Sequence, residues 1–137
     1  MSFSSAPYGR GEEPAAGAAP VPAGATPARR MAVVCCMDAR VDPLPALGLK
    51  LGDAHVIRNA GAVATDDVLR SLASSRELAD TSAVVLLAHS DCRAHGGDDD
   101  DARATVRDGI ARVRQALPGV EVSGAFYDVG TGSVSAL

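Results

Sequence analysis

Apolar runs and polar breaks divide the chain into alternating short strands and helices. Ala32-Val33-Val34-Cys35-Cys36 is a run of small and β-branched residues that changes at once into Met37-Asp38-Ala39-Arg40. Its length and branching predict a buried strand, too short for an isolated helix. Ser82 to Ala88 repeats the design and runs into His89-Ser90-Asp91-Cys92. It has no polar alternation, as expected of a central parallel strand covered on both faces. Ala54 to Asn59, closed by Ala60-Gly61, predicts a further strand, and Val120 to Val129 a last one that Thr131-Gly132 can turn into a short hairpin. Between them, Val41 to Leu49 carries two prolines near its start and a glycine near its end, which suits a short helix. Thr65-Asp66-Asp67 supplies an N-cap and early acidic charge for a helix bearing Val68, Leu69, Leu72, Ala73 and Leu78. Asp98 to Asp101 precede a helix with the apolar stripe Val106, Ile110, Val113 and Leu117, and Pro118-Gly119 stops it. The order predicts an α/β fold, a single domain with a central mostly parallel sheet of about four strands flanked by helices.

Composition narrows the picture. Residues 1–28 are dominated by Ala, Gly, Pro and Ser; such a stretch cannot bury enough surface to offset its ordering entropy, so a disordered arm is expected there. The folded domain is expected over 29–137. That is about 110 residues, a modest core that a partner subunit could complete. The 137-residue chain is 47% hydrophobic with a net charge of -4, which argues against a nucleic-acid partner. No apolar run approaches the ~20 residues of a membrane span, and no secretory signal is expected. Three cysteines make a disulfide scaffold implausible, so a reducing, cytoplasmic setting with available thiols is the simpler expectation.

The candidate chemistry sits where the two apolar runs end. Side chains alternate along a strand, so Cys36, Asp38 and Arg40 share one side if the chain stays extended. In open α/β sheets, ligands collect beyond the carboxyl ends of the strands. A strand ending in Cys36 and another ending in His89-x-x-Cys92 therefore suggest one shared metal site. Zinc takes four protein ligands in structural sites and three plus water in catalytic ones; these three leave a position for water or for Asp38. Alternation turns Cys35 the other way, as a small core hydrophobe. His55 and His95 read as surface or packing residues rather than proton shuttles, and the acidic run at 98–101 as a solvated helix start rather than a carboxylate metal site. The C-x-x-C spacing of redox pairs is absent.

Cys36-Met37-Asp38-Ala39-Arg40 together with His89-Ser90-Asp91-Cys92 resembles the paired signature of the β-class carbonic anhydrases. His55-Val56-Ile57-Arg58-Asn59-Ala60-Gly61 and Thr65 to Leu72 also resemble that family's smaller members. The likeness is ordered from Met31 to Cys92, looser from Asp101 to Val134, and absent before Ala28. It implies zinc held by Cys36, His89 and Cys92, with Asp38 and Arg40 as a catalytic dyad and Gly61 in a substrate-binding loop beside the metal. The implied reaction is reversible hydration of carbon dioxide to bicarbonate, by zinc-bound hydroxide that the dyad orients. In some members the aspartate ligates zinc instead. Two thiolates offset the charge of the ion, so activity is expected to favour alkaline pH. The resemblance also implies a homodimer or higher homo-oligomer with the cleft at the interface. The chain departs from the pattern in three places: Arg93 follows Cys92 where the family usually has glycine, the segment between Cys92 and the last strand is short, and the N-terminal helical arm is replaced by the Ala/Gly/Pro stretch. The alternatives are a non-catalytic or weakly active zinc-binding module of the same fold, and hydrolysis of another small linear substrate such as carbon disulfide. Asp38 and Arg40 favour the enzyme, since a purely structural site has no need of them.

Overall fold

The computed structural model describes residues 20–137. The elements are β1 (Met31–Cys36), α1 (Pro43–Ala46), β2 (Ala54–Asn59), α2 (Asp66–Ala79), β3 (Ala83–His89), α3 (Asp99–Ala116), β4 (Glu121–Tyr127) and β5 (Val134–Ala136), with a 3-10 turn at Arg93–His95. They form one sheet in the order β2-β1-β3-β4-β5. The first four strands run parallel and β5 pairs antiparallel to β4. The mostly parallel sheet of four strands is as expected, and the hairpin at Thr131-Gly132 adds a short fifth. The fifth is three exposed residues, too short to show as an apolar run, and it forms because the Thr131-Gly132 turn folds the chain back onto β4. The arm expected over 1–28 falls largely on residues 1–19, outside the described residues; at its end Pro27 is buried and the Ala28 N–H donates to the Gly52 carbonyl at 2.9 Å.

Strand alternation divides the core. Ala32, Val34, Val84, Leu86, Val122 and Phe126 meet the apolar stripes of α2 (Val68, Leu72) and α3 (Val106, Val113) on one face. Val33, Cys35, Leu87 and Ala125 meet Val41 and Leu49, which flank α1, on the other. Both long helices start with a side-chain cap. Thr65 accepts the Val68 N–H, and Asp98 accepts those of Asp100 and Asp101, satisfying donors that the first turn would leave open. Helix α3 lies close on the sheet because Gly109 faces it: a Cβ there would stand 2.7 Å from Leu86 Cδ2.

Register decides where the polar residues go. Cys35 is paired with Leu87 on the neighbouring strand, so Cys36 and His89, the last residues of β1 and β3, reach the same carboxyl edge one residue out of step. Cys35 itself points into the α1 side of the core, and burial pushes its thiol up from 9.0 to about 11. A raised thiol favours the neutral form, so its contribution to stability is complete below about pH 9 and is lost as the pH climbs towards 11. Alkylation of the native protein at pH 8, read by peptide mass spectrometry, is expected to spare Cys35 and to modify it only after unfolding in urea. Modification of Cys35 in the folded protein would contradict its placement.

Candidate metal centre

Three buried side chains converge at this edge. Cys36 closes β1, His89 closes β3, and Cys92 lies on the loop that leads into the 3-10 turn. Their ligand-capable atoms all lie within 4.8 Å of one another, and the two sulfurs are 3.8 Å apart. The imidazole is oriented for metal. His89 Nδ1 donates to the Ser90 carbonyl at 2.8 Å, which leaves a lone pair on Nε2. That Nε2 is buried and has no hydrogen-bond partner among the described residues. Leaving a buried polar atom unsatisfied costs about 1–3 kcal/mol, and burial also pushes the Cys92 thiol up. A cation that takes the imidazole lone pair and draws the thiols into their thiolate form removes both penalties. Two sulfurs and one imidazole nitrogen are the donor set that suits zinc, and the residues fit it.

Asp38 and Arg40 meet beside these ligands, though not through an extended strand. The chain leaves the sheet after Cys36 and turns at Ala39-Arg40. Asp38 Oδ1 accepts the Arg40 backbone N–H at 2.8 Å, and the Asp38 carbonyl accepts the Val41 N–H at 3.0 Å. A short carboxylate side chain that bonds the backbone two residues on favours such a turn over continued extension. The same turn brings the side chains together: Arg40 Nε donates to Asp38 Oδ1 at 3.1 Å and Nη2 to Oδ2 at 2.8 Å. This fork holds the Asp38 carboxyl well below the usual carboxylate range, so it stays an anion. Its Oδ2 lies 3.8 Å from His89 Nε2. Arg40 is itself anchored from the far side, where Nη1 donates to Asp91 Oδ2 at 3.2 Å and Nη2 to the Asp91 carbonyl at 3.0 Å.

Three supporting residues have no signal in the apolar pattern. Arg58, on β2, donates to the carbonyls of Cys36 (2.9 Å), Asp38 (2.9 Å) and Val41 (2.8 Å), and so pins the turn that carries the dyad. Asp91 adopts a left-handed backbone, φ 50°, with its N–H donating to Asp99 at 3.0 Å. His95 is not a surface residue: its side chain is only 8% exposed and bridges Asp101 and Gly61. His55 is a packing residue, its Nδ1 2.6 Å from Ser75 Oγ. The acidic run at 98–101 is likewise more than a solvated helix start, since Asp98, Asp99 and Asp101 each accept a specific hydrogen bond.

A cleft of about 650 Å³ opens over the centre, lined by Cys36, Met37, Asp38, Arg40, Ala60 and Arg93 among others. Met37 is 66% exposed at its rim. Ala60, rather than Gly61, lines the cleft. Gly61 is buried behind Cys36, where its N–H donates to the sulfur at 3.4 Å.

Comparison with known proteins gives one consistent result. Residues 31–118 match the family model described as carbonic anhydrase. The chain is 40% identical over 134 residues to β-carbonic anhydrase 1 of Mycobacterium tuberculosis, an alignment covering 80% of this chain and 82% of that one. A carbon disulfide hydrolase of Saccharolobus solfataricus is 41% identical over 64 residues, 47% of this chain and 31% of that one. Among solved structures, the carbonic anhydrase of Streptococcus mutans superposes with a TM-score of 0.76 at 38% identity, covering 88% of this chain and 87% of that one.

The left-handed backbone at residue 91 separates two substitutions that remove the same carboxylate. Asp91→Gly accepts that conformation freely, whereas β-branched Asp91→Val is strained there and is expected to be less stable by about 1–3 kcal/mol in urea denaturation. Equal stability of the two variants would contradict the turn geometry.

Proposed function

The chain belongs to the β-carbonic anhydrase family, and from that premise we propose that it is a zinc enzyme catalysing reversible hydration of carbon dioxide to bicarbonate and a proton. The observation that carries this reading is the unpartnered, buried His89 Nε2 grouped with two thiols and set 3.8 Å from an anionic carboxylate. Cys36 Sγ, His89 Nε2 and Cys92 Sγ would hold zinc, whose chemistry is to acidify water so that hydroxide is available near neutral pH.

The chain's own residues supply orientation. Asp38, kept ionised by Arg40, is an acceptor only. It takes the hydrogen bond of the attacking O–H and leaves the oxygen lone pair aimed into the cleft. Arg40 holds that carboxylate by two parallel bonds, which fixes its plane and keeps it off the metal ligands. The cleft walls contributed by Met37, Ala60 and Ala94 suit a small apolar substrate. Arg93 at the same cleft offers a positive charge to the anionic product.

Carbon dioxide is favoured over carbon disulfide because likeness to the β-carbonic anhydrase extends over four-fifths of both chains. Likeness to the carbon disulfide hydrolase spans under a third of that protein. A homodimer or higher homo-oligomer belongs to the same proposal, supported by exposed Met37 at the cleft rim and by exposed Val56 on the edge strand β2. A cytoplasmic location is supported by the three free thiols. No described helix is long and apolar enough to cross a membrane.

The test is stopped-flow hydration of carbon dioxide by zinc-loaded protein, with Cys36→Ser as the blank. Turnover above the blank, higher at alkaline than at neutral pH, is the expected result. Loaded protein without turnover would reduce the chain to a zinc-binding module. Arg40→Ala is expected to lower kcat/KM by roughly 10–100-fold, the usual effect of losing an outer-shell partner; an unchanged value would contradict the dyad.

A further inference from the structure

His95 joins three segments that are distant in sequence. It sits at the end of the 3-10 turn that follows Cys92, held by its own N–H to the Cys92 carbonyl at 3.0 Å. Its Nδ1 is 2.8 Å from Asp101 Oδ2, in the first turn of α3. Its Nε2 is 3.0 Å from the Gly61 carbonyl, on the connection between β2 and α2. The Gly61 carbonyl can only accept, so Nε2 is the donor in that contact. The neighbouring amide continues the chain of contacts, because the Gly61 N–H donates to Cys36 Sγ at 3.4 Å. Fit at this point is tight: a Cβ on Gly61 would lie 2.8 Å from His95 Nε2, and Gly61 has φ 88°. Packing alone does not ask for an imidazole here. An apolar side chain would fill the same space without needing two polar partners.

We propose that His95 is a positioning residue for the metal centre: by gripping the Gly61 carbonyl it holds the Gly61 N–H against the Cys36 sulfur. It thereby sets how strongly that thiolate donates to a bound metal. The inference rests on the reading of Cys36, His89 and Cys92 as metal ligands, and adds a residue outside that set. An N–H···S bond draws electron density from the sulfur. Without it the thiolate donates more strongly, and its charge-transfer transition to a transition metal moves to lower energy. Outer-shell contacts of this kind also fix ligand orientation, so their loss weakens metal binding by roughly 10–100-fold.

The experiment uses the full chain loaded with cobalt(II), whose sulfur-to-metal charge-transfer band reports on the thiolates directly, together with zinc affinity from chelator competition. His95→Leu is expected to shift the band to longer wavelength and to weaken zinc by at least 10-fold. His95→Gln, which keeps a side-chain N–H for the Gly61 carbonyl, is expected to recover most of both. Asp101→Ala, at the exposed start of α3, is expected to give a smaller shift in the same direction, and it decides the matter alone if His95→Leu does not fold. A folded His95→Leu, or in its place Asp101→Ala, with the wild-type band and zinc affinity overturns the proposal. Rescue failing in His95→Gln while His95→Leu is shifted overturns it too, because it assigns the effect to ring packing. Wild-type protein that takes up no cobalt overturns the metal reading itself, and the role of His95 with it.

Discussion

Everything at the carboxyl edge follows from placing two thiols and one imidazole nitrogen together, buried at the floor of a cleft. Burial raises the free energy of the Cys92 thiolate and leaves His89 Nε2 without a donor to meet it. A hydrophobic core gains nothing from such a group, and apolar residues at the same positions would pack without penalty. The arrangement suits a set of ligands, which could recover the cost of preorganising them by binding a cation. Parallel pairing makes the arrangement possible, because adjacent strands β1 and β3 end within one residue of the same level and bring Cys36 and His89 to one edge.

Around this centre the protein spends its polar side chains on backbone control. Arg58 binds three carbonyls of the segment that leaves β1, and Arg40 is clamped between Asp38 and Asp91. The second clamp relies on the left-handed turn at Asp91. These contacts hold a carboxylate at a fixed distance from the ligands with its charge intact. The short connection from Cys92 to α3 leaves the cleft open above them, with Arg93 and Met37 at its mouth. Compared with the buried ligand set, this mouth is where a neighbouring subunit or a different substrate would make itself felt.

Much of this was legible in the sequence, for identifiable reasons. Strand β2 coincides with the predicted 54–59, and β1, β3 and β4 fall within one or two residues of the predicted strands; β1 and β3 are the clearest because buried parallel strands are written as uninterrupted apolar stretches. The juxtaposition of Cys36, His89 and Cys92 was readable because each lies at or just past the end of such a run. What was not readable depends on tertiary contacts. The hairpin at Thr131-Gly132 was readable from its turn residues, but the extent of β5, three exposed residues held only by its neighbour, was not. Cys36, Asp38 and Arg40 would share one side only if the chain stayed extended, and the side chain of Asp38 instead captures the Arg40 amide and turns it. Arg58, Asp91 and His95 act through carbonyls and a left-handed turn, and no periodicity of side chains announces those.

The central claim is that Cys36, His89 and Cys92 together bind zinc, and the most direct measurement is zinc K-edge X-ray absorption on the purified chain, beside Cys36→Ser. The account predicts two sulfurs at about 2.3 Å with nitrogen or oxygen donors at about 2.0–2.1 Å, falling to one sulfur in the variant. A first shell without sulfur, or one that keeps both sulfurs in Cys36→Ser, would contradict it.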